Sequence, residues 1–204
     1  MKLVIDRREN AVIEMIASMH PSFSKESRVV IETPSGKHNV DVEIAVLTLG
    51  DMLIARDDGT AVLIERKSSQ DFVVSIRNNH LWEQLLGMMR AEEVRGLPIK
   101  RKLLAVHGNF SDYLFHQGEE HAESAEKFWS SMMGAMLTTF FVYGIPLVMT
   151  ENDDAFYAFL VTELKREIDG KNDDVPESRW YRDWRKSPWE LPTRAVSYTH
   201  LRAH

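Results

Sequence analysis

The positions of hydrophobic and polar residues divide the chain into short apolar runs and amphipathic stretches. Short or alternating apolar runs predict strands, and apolar residues that recur every three or four positions predict helices. The predicted strands cover approximately residues 2–6, 40–47, 52–56, 61–66, 102–107 and 145–150, and the predicted helices approximately residues 10–19, 69–77, 80–94, 123–142 and 153–168. We interpret the segment between the first helix and the second strand, which contains Pro21, Pro34 and Gly36, as a loop. This order predicts an α/β fold with a central mixed β-sheet flanked by helices on both faces.

Charged residues are concentrated at one end of a predicted hairpin. Two apolar runs flank an Asp/Gly-rich turn; Asp51 opens the first run, and Glu65, Arg66 and Lys67 close the second. Antiparallel pairing would bring Asp51 close to Glu65 and Lys67. Because side chains alternate along a strand, Glu65 and Lys67 should lie on one face and Arg66 on the other.

Two carboxylates and one amine in this arrangement indicate metal-dependent phosphodiester chemistry. Mg²⁺ is typically bound through one or two carboxylates together with waters and substrate phosphate. A lysine beside it can hold a phosphate oxygen or help to orient the attacking water. The same residue types also occur on ordinary solvated turns and strand ends, so the pattern has a purely structural interpretation as well.

Two neighbouring segments favour the chemical interpretation. The first predicted strand ends in Asp6-Arg7-Arg8-Glu9, and sites in α/β folds gather where strands give way to loops. Directly after the hairpin, Ser68 or Ser69 can cap a helix with Asp71 in its first turn. The free N–H groups at the start of such a helix can bind phosphate.

At these residues the sequence resembles the nuclease domain of the XPF/Hef-type structure-specific endonucleases, whose signature is GD…ERKxxxD. The matching segments are Val4-Ile5-Asp6-Arg7-Arg8-Glu9, Gly50-Asp51, Glu65-Arg66-Lys67-Ser68-Ser69-Gln70-Asp71, Ser75-Ile76, Leu81-Trp82-Glu83-Gln84-Leu85, Lys102-Leu103-Leu104-Ala105-Val106 and Tyr143-Gly144-Ile145-Pro146-Leu147-Val148. The ERKxxxD match with GD upstream is specific, and the Leu81–Leu85 segment is similar to the family's RLxxQ segment. The resemblance covers roughly residues 2–168 and implies a restriction-endonuclease-like core.

Carried over residue by residue, the resemblance implies that Asp51 and Glu65 bind Mg²⁺ or Mn²⁺, with the Arg66 carbonyl completing the protein ligands. Lys67 would position or activate the attacking water, and Asp6 would be a further acidic residue of the site. The residues expected to support the site are Arg8, Glu9, Arg66 and Asp71. The Arg66 side chain, which should face away from Lys67, has an alternative interpretation as a structural ion-pair partner.

The sequence departs from the family at two positions. The family usually has Gly-Arg before the leucine of RLxxQ, whereas this chain has Asn79-His80, although Arg77 lies close by. An acidic residue is common after the strand that ends at Val106, whereas this chain has His107-Gly108, and we assign no ligand there.

The composition is that of a globular protein with an acidic balance. The 204 residues are 44% hydrophobic and 27% charged, include no cysteine, and have a formal net charge of −6. Without cysteine there is neither a disulfide framework nor a thiolate metal site. No apolar run is long enough for a membrane helix and no signal peptide is evident, so we expect no membrane association and a cytoplasmic (or, in a eukaryote, nuclear) location. Because phosphate neutralisation needs clustered Lys and Arg, we expect weak DNA binding by this domain, through a local positive rim that includes Arg77 and Arg90.

The predicted helix at residues 123–142 is rich in methionine and aromatic residues. These residues are Phe128, Trp129, Met132, Met133, Met136, Phe140 and Phe141. Most of such a stripe belongs in a hydrophobic core, but the same residue types are enriched at protein interfaces. Since nuclease domains of the XPF/Hef-type family commonly dimerise, the resemblance implies a homodimer or heterodimer formed through this domain.

The hydrophobic pattern weakens after residue 168. We therefore predict a nuclease-like domain over residues 1–168 and a poorly ordered linker and tail over residues 169–204. Residues 196–204 look like translated adapter sequence, so we expect an artefactual or truncated carboxyl terminus. Relatives generally carry a tandem helix-hairpin-helix DNA-binding module after the nuclease domain, and this tail has neither its glycine-containing hairpins nor sufficient length.

The sequence therefore predicts a metal-dependent DNA endonuclease. The resemblance implies branched DNA, such as flaps and forks, as the substrate, in DNA repair or recombination; the residues themselves indicate only metal-dependent phosphodiester hydrolysis. One alternative is a restriction-like nuclease with the same core and another substrate. The other is a non-catalytic DNA-binding or dimerisation partner of an active nuclease, although such partners typically lose the acidic ligands that this chain retains.

Overall fold

A computed structural model describes residues 1–20, 23–110 and 122–173 of the chain. The elements are β1 (Lys2–Asp6), α1 (Asn10–Met19), α2 (Phe23–Glu26), β2 (Arg28–Thr33), β3 (Gly36–Ala45), β4 (Met52–Ala55), β5 (Ala61–Ser68), α3 (Ser69–Arg77), α4 (His80–Arg90), β6 (Glu93–Val94), β7 (Leu97–His107), α5 (Ala122–Phe141), β8 (Leu147–Thr150) and α6 (Asp153–Ile168). Contacts group Met1–Ile168 into one compact unit and Asp169–His204 into a second. Of the linker and tail predicted over residues 169–204, residues 174–204 lie outside the described residues.

The described strands form one mixed sheet. Their order is β2-β3-β1-β4-β5-β7-β6, and β8 also pairs with β7. β4 is antiparallel to both β1 and β5, whereas β5 and β7 are parallel, as are β7 and β8. The carboxyl ends of β1 and β5 and the amino end of β4 therefore meet at one edge of the sheet, so the residues just beyond them lie close together.

Helices cover both faces of this sheet, which confirms the predicted α/β architecture. One hydrophobic cluster lies between the sheet and α3, α4 and α5, and includes Leu63, Phe72, Leu81, Leu85 and Phe128. The other lies between the sheet and α1 and α6, and includes Val62, Ile64, Ile16, Phe156 and Leu160. β5 contributes alternate residues to both clusters, as expected for a continuous apolar run that is buried on both faces.

The loop predicted between α1 and the second strand is wrong, because residues 28–45 form a β-hairpin. β2 pairs with β3 in antiparallel register from Arg28 to Thr33, and the turn residues are Pro34 and Ser35. Gly36 follows at φ +133°. The proline and glycine that indicated a loop therefore mark a tight turn, while the alternate residues Val29 and Ile31 face the core.

The predicted helix at residues 80–94 is too long at its carboxyl end. α4 ends at Arg90, and Glu93 and Val94 form the short strand β6, which pairs with the beginning of β7. The turn between them is formed by Arg95 and Gly96, which have φ values of 53° and 76°. Two consecutive positive φ values define the tight turns that suit hairpins. The following strand consequently starts earlier than predicted.

The methionine and aromatic stripe of α5 is divided between core and surface. Phe128 and Met132 are buried, whereas Met133, Phe140 and Phe141 are exposed. α5 is thus apolar on two sides, of which only the inner one is covered by the described part of the domain. Among the described helices, α5 included, none has both the length and the apolar content needed to cross a membrane.

Candidate active site

The backbone places Asp51 between the ends of β1 and β5. The Asp51 carbonyl accepts a hydrogen bond from the Asp6 N–H (2.8 Å), and the Asp51 N–H donates to the Ile64 carbonyl (2.9 Å). Gly50 precedes it at φ +71°, and a Cβ atom there would lie 2.5 Å from Leu63 Cδ1. Because any side chain at Gly50 would clash with β5 and would be strained at positive φ, glycine is required immediately before Asp51.

Asp51 and Glu65 line a common cleft and each keeps one carboxylate oxygen unused. Asp51 Oδ2 accepts a hydrogen bond from the Arg66 N–H (2.8 Å), and Glu65 Oε1 accepts one from Gln84 Nε2 (2.8 Å). Among the described residues, no hydrogen bond reaches the second oxygen of either carboxylate. The cleft measures about 380 Å³ and is lined by Arg8, Glu9, Thr48, Leu49, Gly50, Asp51, Glu65 and Gln84. The unused oxygens are available to a ligand in it.

Burial makes the charge of this pair unfavourable. Glu65 is 7% exposed; its burial, and next the neighbouring Asp51, raise its pKa to about 8. Burial likewise raises the pKa of Asp51 to about 6, although the Arg66 N–H opposes the rise. Two desolvated like charges favour protonation, and a bound cation would reverse that preference.

The donor set fits a hard divalent cation. Mg²⁺ commonly uses one or two protein carboxylates and fills its other positions with water and substrate phosphate. Asp51, Glu65 and the Arg66 carbonyl could supply such a set. Within residues 1–20, 23–110 and 122–173 there is no group of three or more His, Cys, Asp or Glu side chains suited to a metal ion, so a metal here would depend on these two carboxylates.

Lys67 follows Glu65 on the same face of β5. It is buried, with 9% of its surface exposed, and it forms no ion pair within the described parts of the chain. Its positive charge nevertheless lowers the pKa values of Asp51 and Glu65 and so partly offsets the rise caused by burial. The predicted alternation along β5 is therefore confirmed, since Lys67 and Glu65 share the face on which α3 and α4 pack.

Arg66 points to the opposite face, where it contacts the residue before α1, the end of β7 and α6. Its Nη1 donates to Glu9 Oε2 (3.0 Å), its Nη2 lies 2.6 Å from His107 Nε2, and its Cζ lies 5.1 Å from the centroid of the Phe156 ring. An arginine is only a donor, so His107 Nε2 accepts. These contacts match the structural ion-pair interpretation of the Arg66 side chain.

The environment of Asp6 differs from that of Asp51 and Glu65. It is completely buried. Its Oδ1 accepts from Arg8 Nε (2.7 Å) and the Arg8 N–H (2.8 Å), and its Oδ2 accepts from the Leu47 N–H (2.7 Å) and Arg8 Nη2 (3.0 Å). The hydrogen bond from the Arg8 side chain is the main reason why the pKa of Asp6 is far below its usual range. Both oxygens are thus already in use.

The start of α3 is capped by Ser68, one of the two serines predicted for that role. Ser68 Oγ accepts from the Asp71 N–H (3.0 Å) and donates to Asp71 Oδ2 (2.8 Å). Asp71 therefore contacts the helix cap. Arg77 and Arg90 are the exposed last residues of α3 and α4, and neither lines the cleft.

Gln84 is the residue of this site that the sequence-based assignment missed. It reaches Glu65 from the middle of α4, 19 residues away in sequence. Its Oε1 is buried and has no hydrogen-bond partner in the described structure. The similarity of Leu81–Leu85 to an RLxxQ segment was the available signal, because Gln84 is the glutamine of that segment.

Fold and site together define an α/β domain of the restriction-endonuclease-like class, with paired carboxylates at the ends of adjoining strands. The family model of the ERCC4 domain matches residues 6–162. The chain belongs to the ERCC4 domain family, whose members are nucleases.

Two solved structures of XPF from Aeropyrum pernix are similar to this fold. For the one described as a complex with DNA, the identity is 20%, the match covers 87% of this chain and 68% of that chain, and the TM-score is 0.51. For the other, the identity is 19%, the coverage is 93% and 73%, and the TM-score is 0.52. At this level of identity the likeness concerns the fold.

One curated relative is a protein of Methanocaldococcus jannaschii whose name describes it as an ATP-dependent RNA helicase. It is 28% identical over 132 residues, which is 64% of this chain and 14% of that protein. The chain thus spans a small part of that relative's length.

Proposed function

We propose that this chain is the nuclease domain of a metal-dependent, structure-specific DNA endonuclease that hydrolyses phosphodiesters near flap or fork junctions, in DNA repair or recombination. The observation that carries the proposal is the pair formed by the partly buried Asp51 and the buried Glu65, which has raised pKa values and one unused oxygen on each carboxylate. Burying two such groups without a compensating cation is unfavourable. Membership of a nuclease family supports the same conclusion.

The metal in this proposal is Mg²⁺ or Mn²⁺, held by Asp51, Glu65 and the Arg66 carbonyl. Such an ion supplies positive charge that attracts the scissile phosphate and offsets the charge that develops on it. Lys67, which is already buried beside Glu65, holds a phosphate oxygen or orients the attacking water. Gln84 keeps the Glu65 carboxylate in one orientation by donating to its Oε1.

The DNA substrate rests on the family and on the fold. A structure of the similar A. pernix XPF is described as a complex with DNA. We propose that the exposed residues Arg77 and Arg90 bind phosphates away from the cleft, since both are exposed at helix ends. Because the whole chain has a net charge of −6, binding depends on such local positive groups.

The decisive experiment measures cleavage of labelled splayed-arm, 3′-flap, nicked and plain duplex DNA by the whole chain with Mg²⁺, Mn²⁺ or EDTA. We expect metal-dependent cutting of the branched substrates and little cutting of plain duplex. Glu65→Gln should abolish cleavage, while Glu14→Gln, which changes an exposed glutamate of α1, should not.

Each alternative has its own result in this assay. Equal cutting of plain duplex would indicate a restriction-like nuclease with another substrate. Binding of branched DNA by a folded chain that never cleaves it would indicate a non-catalytic partner. Cleavage that persists in Glu65→Gln would refute the assigned site.

We also propose that the outer side of α5 binds a second subunit, either another copy of this chain or a related nuclease chain. The exposed apolar residues there are Met133, Leu137, Phe140, Phe141 and Val142, and Phe141 is 73% exposed. Contiguous apolar surface of this kind is typical of association sites. The dimerisation expected from the family resemblance supports this choice.

Sedimentation of the chain at several concentrations tests the association. We expect a concentration-dependent dimer that Leu137→Glu converts to monomer. Val74→Glu is the matched control, because Val74 is equally apolar and 45% exposed but lies on α3. A monomer at all concentrations would exclude the homodimer and leave a heterodimer, which mixing with a related chain would show.

A further inference from the structure

We propose that Arg8 is a fixed phosphate-binding residue of the cleft and that the buried Asp6 is its positioning residue. This assignment rests on the proposed function and reverses the roles expected from the sequence, in which Asp6 acts in the site and Arg8 supports it. The contacts of the two side chains and the exposed side of the Arg8 guanidinium group support this assignment.

Asp6 has no capacity left for a ligand. Its two oxygens accept four hydrogen bonds, three from Arg8 and one from the Leu47 N–H. No part of the Asp6 side chain reaches the surface. A carboxylate in this situation is bound to the protein on both oxygens, so its contribution to the cleft is indirect.

Arg8 is held rigidly by these contacts. Nε and Nη2 donate to the two different oxygens of Asp6, at 2.7 and 3.0 Å, and Nη2 also lies 3.3 Å from the Leu47 carbonyl. Two parallel hydrogen bonds define the plane of the guanidinium group. An arginine ordered in this way loses little further conformational freedom when it binds a ligand.

The side of Arg8 that does not contact Asp6 is open. The Arg8 side chain is 69% exposed, and Nη1 has no hydrogen bond to any residue in the described ranges. Arg8 lines the same cleft as Asp51 and Glu65. Hydrogen bonding to Asp6, and less strongly the charges of Asp51 and Glu65, raise the pKa of Arg8 further above its usual value.

A fixed cation at this place has a clear use for a phosphodiester substrate. Two carboxylates repel a phosphate, and a metal at Asp51 and Glu65 would offset that repulsion only at their own position. A guanidinium group with free donors at the edge of the cleft binds a phosphate oxygen. Arg8 would thereby hold the scissile phosphate or a phosphate next to it.

The test compares Arg8→Ala with Arg7→Ala, which removes the same charge one residue earlier from a side chain that is also exposed. Binding of splayed-arm DNA is measured in EDTA, where no cleavage occurs, at a series of salt concentrations. We expect Arg8→Ala to bind on the order of tenfold more weakly and to lower the salt slope by about one phosphate contact. Arg7→Ala should remain close to the wild type.

Two further variants separate binding from folding. Arg8→Gln keeps an amide donor for Asp6 while removing the charge, so it should fold and still show the reduced salt slope. Asp6→Asn keeps the Arg8 charge but loosens its position, so it should raise KM more than it lowers kcat. Mg²⁺ should raise the melting temperature of Arg8→Gln as much as that of the wild type, because Arg8 is not a metal ligand.

The outcomes distinguish this assignment from the proposed function. If the wild type binds and cleaves branched DNA but Arg8→Gln has the salt slope of the wild type, Arg8 is a structural partner of Asp6 and the assignment is wrong. Loss of the Mg²⁺ effect in Arg8→Gln would also overturn it. If the folded wild type neither binds nor cleaves DNA, the proposed function fails and this assignment fails with it.

Discussion

Asp6 and the Asp51–Glu65 pair lie at the same end of the sheet, yet their environments are opposite. Asp6 receives four hydrogen bonds and its pKa lies far below its usual range, mainly because of Arg8. Asp51 and Glu65 receive one each, and burial raises their pKa values to about 6 and about 8. Their relation to Arg8 is also different, since Arg8 contacts Asp6 directly and affects the pair only through its charge.

This difference teaches how to separate a structural carboxylate from a ligand-binding one. A carboxylate that the protein has already satisfied stabilises the fold and has little to offer a metal. A buried carboxylate that keeps an unused oxygen and a raised pKa is unfavourable in the isolated protein, which is common at functional sites. Substitutions at Asp6 should therefore act on stability and, through the position of Arg8, on KM, whereas substitutions at Asp51 or Glu65 should act mainly on kcat.

The largest expected effect is the loss of cleavage when Asp51 or Glu65 is substituted. Asp51→Asn or Glu65→Gln should lower kcat by at least about a thousandfold, because each removes a charge that acts on the reacting phosphate through the metal. The melting temperature without metal should not fall. Single-turnover cleavage and thermal unfolding in EDTA measure the two quantities. A large loss of stability in Asp51→Asn would instead identify a structural carboxylate and remove the contrast with Asp6.

The next effect is the stability contributed by Asp6. Asp6→Asn should lower the free energy of unfolding by roughly 1–3 kcal/mol, because it leaves the buried Leu47 N–H and the partly buried donors of Arg8 with a poorer acceptor. Denaturant unfolding measures this change. Asp41→Asn is the control, since Asp41 pairs with Arg28 at the surface and such pairs contribute about 0–1 kcal/mol. Equal effects of the two substitutions would contradict the buried role of Asp6.

The two environments also predict opposite dependences of stability on pH. Because the folded protein holds protons on Asp51 and Glu65 that the unfolded chain releases near pH 4, the free energy of unfolding should fall as pH rises from about 4 to about 8. The contribution of Asp6 is present above pH 4 and is lost only in acid. Thermal unfolding in EDTA at pH 5.5 and 8.5 should show the fall in the wild type and a smaller fall in Glu65→Gln.

A comparison of thermal unfolding with and without Mg²⁺ tests the same difference between the two environments. At pH 8.5 excess Mg²⁺ should raise the melting temperature of the wild type and of Asp6→Asn, because it binds the folded state and offsets the charged pair. It should leave Glu65→Gln unchanged. If the Mg²⁺ effect disappears in Asp6→Asn but persists in Glu65→Gln, then Asp6 binds the metal and Glu65 does not.

The smallest expected effect is that of Gln84, which positions Glu65. Gln84→Leu removes the donor to Glu65 Oε1, and loss of a residue that orients a metal ligand typically weakens metal binding on the order of tenfold. The Mg²⁺ concentration that gives half-maximal cleavage measures it. Gln70→Leu, at an exposed position of α3, is the control and should behave like the wild type.

Local sequence was sufficient for the parts of the molecule that depend on neighbouring residues. The continuous apolar run before Glu65 predicted β5, and the two-residue period along it correctly separated Glu65 and Lys67 from Arg66. The Gly50-Asp51 pair was recognisable from the family resemblance, and a cap at Ser68 or Ser69 was recognisable because capping is a property of short segments. The β2–β3 hairpin was missed because Pro34 and Gly36 indicate a break without showing how tight it is.

Only the tertiary structure decided the surroundings of each charged side chain. Asp6 and Asp51 are similar in sequence, since each adjoins an apolar strand: Asp6 is the last residue of β1 and Asp51 immediately precedes β4. What distinguishes them is the Leu47 N–H, 41 residues from Asp6, and the Gln84 amide, which α4 brings to Glu65. Arg8 is close to Asp6 in sequence and donates three of its four hydrogen bonds, but the fold turns its guanidinium group onto Asp6 and buries each carboxylate to a different degree, which determines which one is satisfied and which is left for a ligand. Residue type alone does not contain that information, because the same carboxylate has opposite pKa shifts in the two environments.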